Sequence, residues 1–598
     1  MSHTFHIPVL GLGFSIDTPL KVARYGISSV VSIVDDELTE RMRKYHATQN
    51  NEIYTPIDKS DPDCRAKRIA AYLNLLNKLV NRQFEELKQL PFNQGNDLDR
   101  YFNLLPDSSR LKQGYELMLE YPEGPSKRIF QTILLSQMQK GAIDVNIMSK
   151  VDKLNFDADG QYTGDENTDA LAGVRGFTES DVQASVVLSA GMNPRLYSYL
   201  ERFGCFLPDE EGKLNKKIIL KVSDYRSAFI QAKFLAKKGL WVSEFRIESG
   251  LNCGGHAFAT DGLLLGPILE EFKQKREVMV AELFVIYQPA LLEKGLLVHN
   301  AFVQKISVQG GIGTANENNF LLKNYQLQAT GWGSPFLLVP EATNVDDMTL
   351  QNLTGARQED FYLSASSPLG ILFNNFKKSS AETQRLERIE QGRPGSPCTK
   401  KYLCTNTEFT EQPICTASRA YQYFKLQQLQ AQELSPVDYQ EQAEAVTEKV
   451  CLCEGLGASA YIKNDMLKPR ENAAVTICPG PNLAYFSAVY SLDEMVDHIY
   501  GRQDLLADVV RPSVFINELN LYIDYLRNEI VGYLKNVNQK KEKQLLNFKD
   551  QLQQGISYYK QLLPQLYNET KAYRDEMYKH LIVCEGHLKA LGCGLSAD

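Results

Sequence analysis

Short apolar runs alternate with segments of helical periodicity along the first 340 residues of the chain. The runs are rich in Val, Ile and Leu, which is the pattern of strands buried on both faces of a parallel sheet. They lie at 6–10, 28–34, 142–148, 184–189, 217–222, 242–247, 305–308 and 336–339. About eight strands separated by helical segments favour a closed (β/α)8 TIM barrel over an open sheet.

Changes in the pattern divide the chain into three regions. Residues 1–350 would form the barrel, with a helical insertion at about 65–140 in which apolar residues are spaced to cover one helix face. Residues 351–500 are loop-rich, polar and contain cysteines, so we expect a cap on the barrel. In residues 501–598 apolar positions recur at steps of three and four, which predicts a helical hairpin or bundle. This tail would serve packing or the formation of a homo-oligomer.

Composition narrows the class of protein. No apolar stretch approaches the length of a membrane-spanning helix, and the first residues lack the pattern of a secretory signal, so we expect a cytoplasmic protein. The net charge of −8 makes nucleic acid an improbable partner. In a reducing compartment, 11 cysteines are better explained as thiols or metal ligands than as disulfides.

Two glycine-rich strand ends, at 310–313 and 331–336, lie about twenty residues apart. Glycine lets the backbone approach an anion, and exposed N–H groups supply hydrogen-bond donors. The motif therefore predicts a phosphate site for flavin mononucleotide (FMN), with donors from Gly310, Gly311, Gly333 and Ser334. The alternative is that these glycines only form tight turns.

A histidine follows two glycines at the end of an earlier strand, in the order Gly254-Gly255-His256. The C-terminal ends of barrel strands share one mouth, so His256 would face the same site as the phosphate turns. Its ordinary pKa lies near neutrality, which suits a general acid or base. A structural histidine is the alternative. Cys253 is a weaker candidate nucleophile, because no base is its neighbour in sequence.

The ordered motifs resemble the nitronate monooxygenase and 2-nitropropane dioxygenase-like family, which are FMN-binding TIM barrels related to flavin-dependent enoyl-acyl carrier protein reductases. The resemblance covers roughly residues 5–350 and a following stretch. It implies that the flavin is held by Gly11, Gly13, Phe14, Asn146, Gly254, Gly255, Gly310, Gly311, Ile312, Gly333 and Ser334. The chain departs from the family at Asn252-Cys253, where an acidic residue and alanine are usual, and in its large insertion and long C-terminal extension.

Two further features carry predicted chemistry. Lys150 would place a positive charge near the flavin pyrimidine ring, the alternative being a solvated surface lysine. Three cysteines follow the barrel, namely Cys398, Cys404 and Cys415. Their spacing resembles that of the post-barrel cysteines of glutamate synthase, and this resemblance implies an iron–sulfur cluster. Zinc and scattered reduced thiols are the alternatives. Cys451, Cys453 and Cys478 follow in the same region.

These features together predict an FMN-dependent oxidoreductase acting on a small organic substrate. By resemblance, the reaction would be the oxidation of a nitronate-like carbanion with oxygen, or else the reduction of an enoyl thioester. A non-catalytic flavin-barrel scaffold and an RNA-modifying flavoenzyme are the remaining alternatives, and the acidic balance of the chain counts against RNA.

Overall fold

A computed structural model describes residues 2–149, 152–157, 159–189, 191–257, 261–535, 537–566 and 569–592. Eight parallel strands pair in chain order and close into a barrel, which confirms the predicted (β/α)8 fold. The strands are β1 (Phe5–Ile7), β2 (Ser28–Ser32), β3 (Ile143–Met148), β4 (Ser185–Ser189), β5 (Lys217–Val222), β6 (Val242–Glu248), β7 (Lys305–Gln309) and β8 (Ala329–Gly331).

The prediction for the last strand was wrong. The closing strand β8 lies at Ala329–Gly331, where it pairs with β7 and β1, whereas Ser334–Leu338 forms a 3₁₀ helix. Residues 336–339 are all buried, so their apolar pattern signals burial without a strand. Pro335 has no N–H for a sheet ladder, which favours the turn after β8.

Helices connect the strands and cover the barrel. Those between β1 and β3 are α1 (Thr18–Val22), α2 (Asp36–Gln49), α3 (Cys64–Lys88), α4 (Asp97–Leu104), α5 (Arg110–Glu120) and α6 (Pro125–Gln137). Those between β3 and β8 are α7 (Asp169–Glu179), α8 (Pro194–Leu200), α9 (Tyr225–Ala236), α10 (Leu265–Leu292) and α11 (Ala315–Asn324). Helices α3 to α6 form the predicted insertion, and the apolar face of α3, with Leu73, Leu76, Leu79 and Val80, is buried.

The region after the barrel contains five helices and one two-stranded antiparallel sheet among its described elements. They are α12 (Asp347–Thr354), β9 (Phe361–Ser364), β10 (Phe373–Phe376), α13 (Ser380–Glu390), α14 (Arg419–Gln430), α15 (Pro436–Thr447) and α16 (Leu452–Lys463). Helix α17 (Leu492–Tyr500) follows and leads to the tail. This region carries six of the 11 cysteines and lies over the barrel mouth.

The tail consists of three helices, α18 (Val514–Lys535), α19 (Gln539–Leu562) and α20 (Lys571–Gly592), and so is a bundle. Its apolar positions Leu519, Ile523, Leu552 and Ile556 are buried in the main hydrophobic core. The tail therefore packs on its own barrel, and a homo-oligomer through it stays a prediction. Among the described residues, no helix has the length and apolar character needed to span a bilayer.

Charged side chains fill the middle of the barrel. Arg246 on β6 pairs with Glu244 at 2.9 Å and with Asp144 on β3 at 3.6 Å. Ser307 on β7 donates a hydrogen bond of 2.6 Å to Glu244. Removing one member of such a buried set costs about 3–5 kcal/mol, because it leaves an uncompensated charge. The network joins three strands below the mouth.

One tail residue holds the loop that follows β6. The carboxyl group of Glu518 on α18 accepts hydrogen bonds of 2.7 Å from the amides of Gly250 and Leu265. It is 1% exposed, and burial raises its pKa to about 7. The loop between these two amides carries Asn252, Cys253 and His256, so α18 fixes both ends of the predicted site loop.

We predict that Glu518 makes stability depend on pH. Since its folded pKa is raised, the folded state keeps a proton that the unfolded chain loses between about pH 4.5 and 7. Stability should therefore fall by up to about 3 kcal/mol as the pH rises through this window. Chemical unfolding from pH 5 to 8 should show this loss in the natural chain and not in Glu518→Gln. Glu120→Gln, on an exposed helix end, is the matched control and should behave like the natural chain.

Candidate active site

The glycine turns after β6, β7 and β8 converge at the C-terminal mouth of the barrel. A Cβ atom added at Gly333 would lie 2.6 Å from Cys253 Cβ, and one added at Gly310 would lie 2.7 Å from Ser249 Oγ. The Gly310 amide also donates to the Cys253 thiol. The turns after β7 and β8 thus face each other across Cys253, and glycine at both positions is required by close protein packing.

Several amides in these turns have no protein partner. Among the described hydrogen bonds, none gives an acceptor to the buried N–H groups of Gly311, Ile312, Gly333 and Ser334. Unpaired buried N–H groups are rare in native proteins, so these four point to a ligand that accepts hydrogen bonds. Gly313 differs, because its amide donates to Glu317 at 2.9 Å. The main-chain donors therefore fit an anion such as a phosphate.

The post-barrel segment at 478–482 lies over these turns and forms hydrogen bonds with them. Gly255 donates to the Cys478 carbonyl at 2.9 Å, and Asn482 donates to the Ile312 carbonyl at 2.8 Å. The Ser334 hydroxyl accepts from the Gly480 amide at 2.8 Å and donates to the Cys253 carbonyl at 3.2 Å. Ser334 therefore offers a ligand its amide and not its hydroxyl.

In the predicted loop after β1, one of the two glycines packs against the post-barrel region. Gly13 donates its amide to the Leu456 carbonyl of α16 at 3.0 Å, so that amide is not available to a ligand. A Cβ at Gly13 would lie 3.1 Å from Ala460 Cβ, and glycine is therefore what allows α16 to approach. Gly11 has a φ of 63°, and the ring of Phe14 packs against it in the core.

Asn146 lies on β3 and is buried, in register with Ser32 and Val187. It is two residues beyond Asp144, so it shares the inward face and lies nearer the mouth. Lys150 lies outside the described residues.

A cavity of about 230 Å³ opens at the mouth between β4, β5 and β6. Lys221 on β5 and Glu248 on β6 line it and form an ion pair of 2.7 Å. Gln309 on β7 donates to the other oxygen of Glu248 at 2.7 Å. Sequence reasoning missed all three residues. Their signal was a polar side chain near the end of an otherwise apolar strand, on the inward face.

His256 is held by the post-barrel region. Its Nε2 lies 2.7 Å from the Ser367 hydroxyl, and its ring meets Phe373 edge to face at 5.0 Å between centroids. Burial, with a smaller effect from the charge of Lys221, lowers the pKa of His256 to about 4. At neutral pH nearly all His256 rings are therefore unprotonated. The ring can act as a base that accepts a proton, but not as an acid that donates one.

Neither Ser367 nor the predicted candidate Cys253 is suited to act as a nucleophile at this site. Ser367 is fully buried, so the His256–Ser367 pair cannot present a hydroxyl to a substrate as a hydrolase would. Burial raises the pKa of the Cys253 thiol far above neutrality. Cys253 is therefore a protonated thiol that fills space between two turns.

A second, larger cavity of about 1160 Å³ opens on the side of β2 and β3. It lies between the start of the insertion, the loop after β3 and the post-barrel loop. Charged side chains of both signs line it, among them Asp36, Asp63, Arg65, Lys153 and Lys400. This space accommodates a polar organic molecule better than a long acyl chain.

Comparison with known proteins gives weak structural similarity. No protein-family model matches the chain, and no curated protein matches it in sequence. FabK from Thermotoga maritima is similar with a TM-score of 0.30 and 12% identity, over 68% of this chain and 85% of that one. The enoyl reductase domain of MlnA from Bacillus amyloliquefaciens has a TM-score of 0.34 and 14% identity, over 64% and 86%. Nitroalkane oxidase from Streptomyces ansochromogenes has a TM-score of 0.28 and 11% identity, over 64% and 84%.

We predict that His256 stays neutral throughout the neutral pH range. Because burial lowers its pKa to about 4, its ring should show no chemical-shift change between pH 5.5 and 8. NMR spectra of chain labelled with ¹³C-histidine, with His256→Gln to assign the signal, would measure this. A titration centred near pH 6.5 would contradict the buried position beside Phe373.

Proposed function

We propose that this chain is an FMN-dependent oxidoreductase acting on a small polar organic substrate, with nitronate oxidation as the reaction. The four buried amides without an acceptor, at the mouth of a closed parallel barrel, are the observation that supports it. Gly311, Ile312, Gly333 and Ser334 would hold the phosphate. When bound, FMN would supply reversible acceptance of a hydride or of electrons.

The residues of the mouth have separate roles in this proposal. His256 would take the α-carbon proton of a neutral nitroalkane and so generate the nitronate, because the ring is neutral and lies at the mouth. With Nε2–H donating to Ser367, Nδ1 keeps the lone pair that accepts the proton. Lys221 would stabilise negative charge that develops on the substrate. Glu248 would hold the ammonium group of Lys221 in place, and Gln309 would orient Glu248.

The charged lining of the larger cavity favours a small polar substrate over a long apolar one. Its carboxylates outnumber its cations, and Arg65 is already paired with Asp36 at 2.8 Å, so the lining selects for polarity and not for an anion. An enoyl thioester on a carrier would need an apolar channel for its acyl chain, which such a lining does not provide. We therefore place nitronate oxidation ahead of enoyl reduction.

A pair of substitutions at Cys253 tests the cofactor. The purified natural chain should show the two absorption bands of oxidised flavin, and mass spectrometry of the released molecule should identify FMN. In Cys253→Asp a carboxylate lies beside the phosphate, whereas Cys253→Asn has the same size and no charge. Repulsion between the two anions should weaken FMN binding about tenfold or more in the aspartate variant relative to the asparagine variant.

Thermal unfolding of both variants checks that they are folded. Equal FMN affinity in the two would show that the phosphate does not lie between these turns. A colourless natural chain that binds no added FMN would reject the flavin assignment and favour the scaffold.

Replacing His256 by glutamine should slow the oxidation of a neutral nitroalkane about 10²- to 10⁴-fold, because this is the usual contribution of a general base. Oxygen consumption with a nitroalkane would measure turnover, and absorption would show that flavin is retained. His299→Gln, at an exposed position, is the matched control and should keep full activity. Unchanged turnover in His256→Gln with flavin present would remove this residue from the mechanism.

A further inference from the structure

Six cysteines of the post-barrel region lie in one buried group, which we term the thiol cluster. They come from three separate segments of the chain. Its members are Cys398, Cys404, Cys415, Cys451, Cys453 and Cys478. Only the first three, which are close in sequence, were predicted to be metal ligands. All six are free thiols, and their neighbours in the cluster are mainly apolar.

The backbone brings the first three thiols together. Antiparallel hydrogen bonds between Asn406 and Ile414, at 2.8 and 3.0 Å, bring Cys404 and Cys415 to the two sides of a short loop. Asp35, at the end of β2, anchors this region because it accepts hydrogen bonds from Lys400 and Tyr402 at 2.5 and 3.0 Å.

The loop also contains strained backbone. Cys398 and Lys401 both have φ near 57°, a left-handed conformation that is unfavourable for residues other than glycine. Such strain persists where the surrounding structure imposes it, and it clusters at functional sites.

The thiols interact with one another. Cys398 Sγ lies 3.7 Å from Cys404 Sγ. Cys415 and Cys453 pack in the same apolar cluster. Cys453, at the start of α16, thus adds a thiol from a separate segment to the three thiols of the post-barrel loop.

Direct contacts between protonated thiols stabilise such a group only weakly. Thiols are weak hydrogen-bond donors and acceptors, so they hold one another in place poorly. A bound metal displaces their protons and makes thiolates the ligands.

We propose that Cys398, Cys404, Cys415 and Cys453 bind an iron–sulfur cluster. Four thiolates are the usual protein ligands of such clusters, and sulfur ligands select iron–sulfur centres or zinc. A structural zinc ion needs its four ligands, here thiolates, arranged as a tetrahedron around one point. Within the described residues, no three potential ligand side chains are arranged around a single ion. An iron–sulfur cluster distributes its cysteine ligands over two or more iron atoms, so it suits thiols that lie near one another without converging on one point.

The thiol cluster borders the mouth of the barrel on two sides. Leu12, from the loop after β1, packs against the thiol cluster, and so does Phe373, whose ring contacts His256. The backbone carbonyl of Cys478, another member of the thiol cluster, accepts a hydrogen bond from the Gly255 amide. The site thus lies directly beside the proposed flavin, but the assignment of the metal does not depend on the flavin.

Metal analysis of the full chain, purified without oxygen, tests this site. We expect iron and acid-labile sulfide in equal amounts, and an electron paramagnetic resonance signal after reduction with dithionite. Cys398→Ser, Cys415→Ser and Cys453→Ser should each lose most of the iron, whereas Cys205→Ser, outside the cluster, should keep it. Zinc in place of iron, or no metal after reconstitution with iron and sulfide, would overturn the assignment.

Thiol labelling provides a readout that does not depend on the folding of variants. In the natural chain, iodoacetamide followed by mass spectrometry should leave these four cysteines unmodified until a chelator removes the iron. Modification of all four without a chelator would also overturn the site. Cys253→Asp should keep its iron while losing FMN, so a failure of the flavin proposal and a failure of the metal proposal give different results.

Discussion

The ion network around Arg246 is the interaction on which the rest of this barrel depends. Arg246 is 3% exposed and neutralises Glu244 and Asp144 inside the ring of strands, where an unpaired charge would be costly. Because side chains alternate along a strand, the next inward residues are Glu248 on β6 and Gln309 on β7. The network therefore supports the layer that contains Lys221 and lines the mouth.

The region after the barrel completes the mouth. Ser367 and Phe373 hold the His256 ring, and Cys478 and Asn482 bind the turns after β6 and β7. From the tail, Glu518 fixes both ends of the loop after β6. The long C-terminal extension is thus part of the candidate site, because without it the turns and the histidine would lose most of their partners.

The thiol cluster follows from the same arrangement. Helix α16 approaches the loop after β1 closely because Gly13 has no side chain, and its first turn carries Cys453 to the post-barrel loop. A single contact between backbone segments therefore positions both the floor of the predicted flavin site and one proposed metal ligand. The proposed flavin phosphate and the proposed thiolate ligands therefore both lie beside the same barrel mouth.

The sequence by itself determined the barrel, the insertion and the helical tail. Strands buried on both faces and amphipathic helices have characteristic local patterns of apolar residues. These patterns can be recognised without knowing which distant residues the element contacts. The glycine turns and His256 were likewise located at strand ends. The prediction of β8 was wrong because the run at 336–339 reports only burial, which a 3₁₀ turn also requires.

Only the tertiary structure decided which groups meet. It put Cys253 between Gly310 and Gly333, engaged the Gly13 amide with α16, and made Lys221 and Glu248 a pair. It also joined Cys453 to cysteines more than thirty residues earlier in the chain. These distances depend on how loops from different strands fold over one mouth. Spacing along the chain does not encode them, because each loop is free to take its direction from packing.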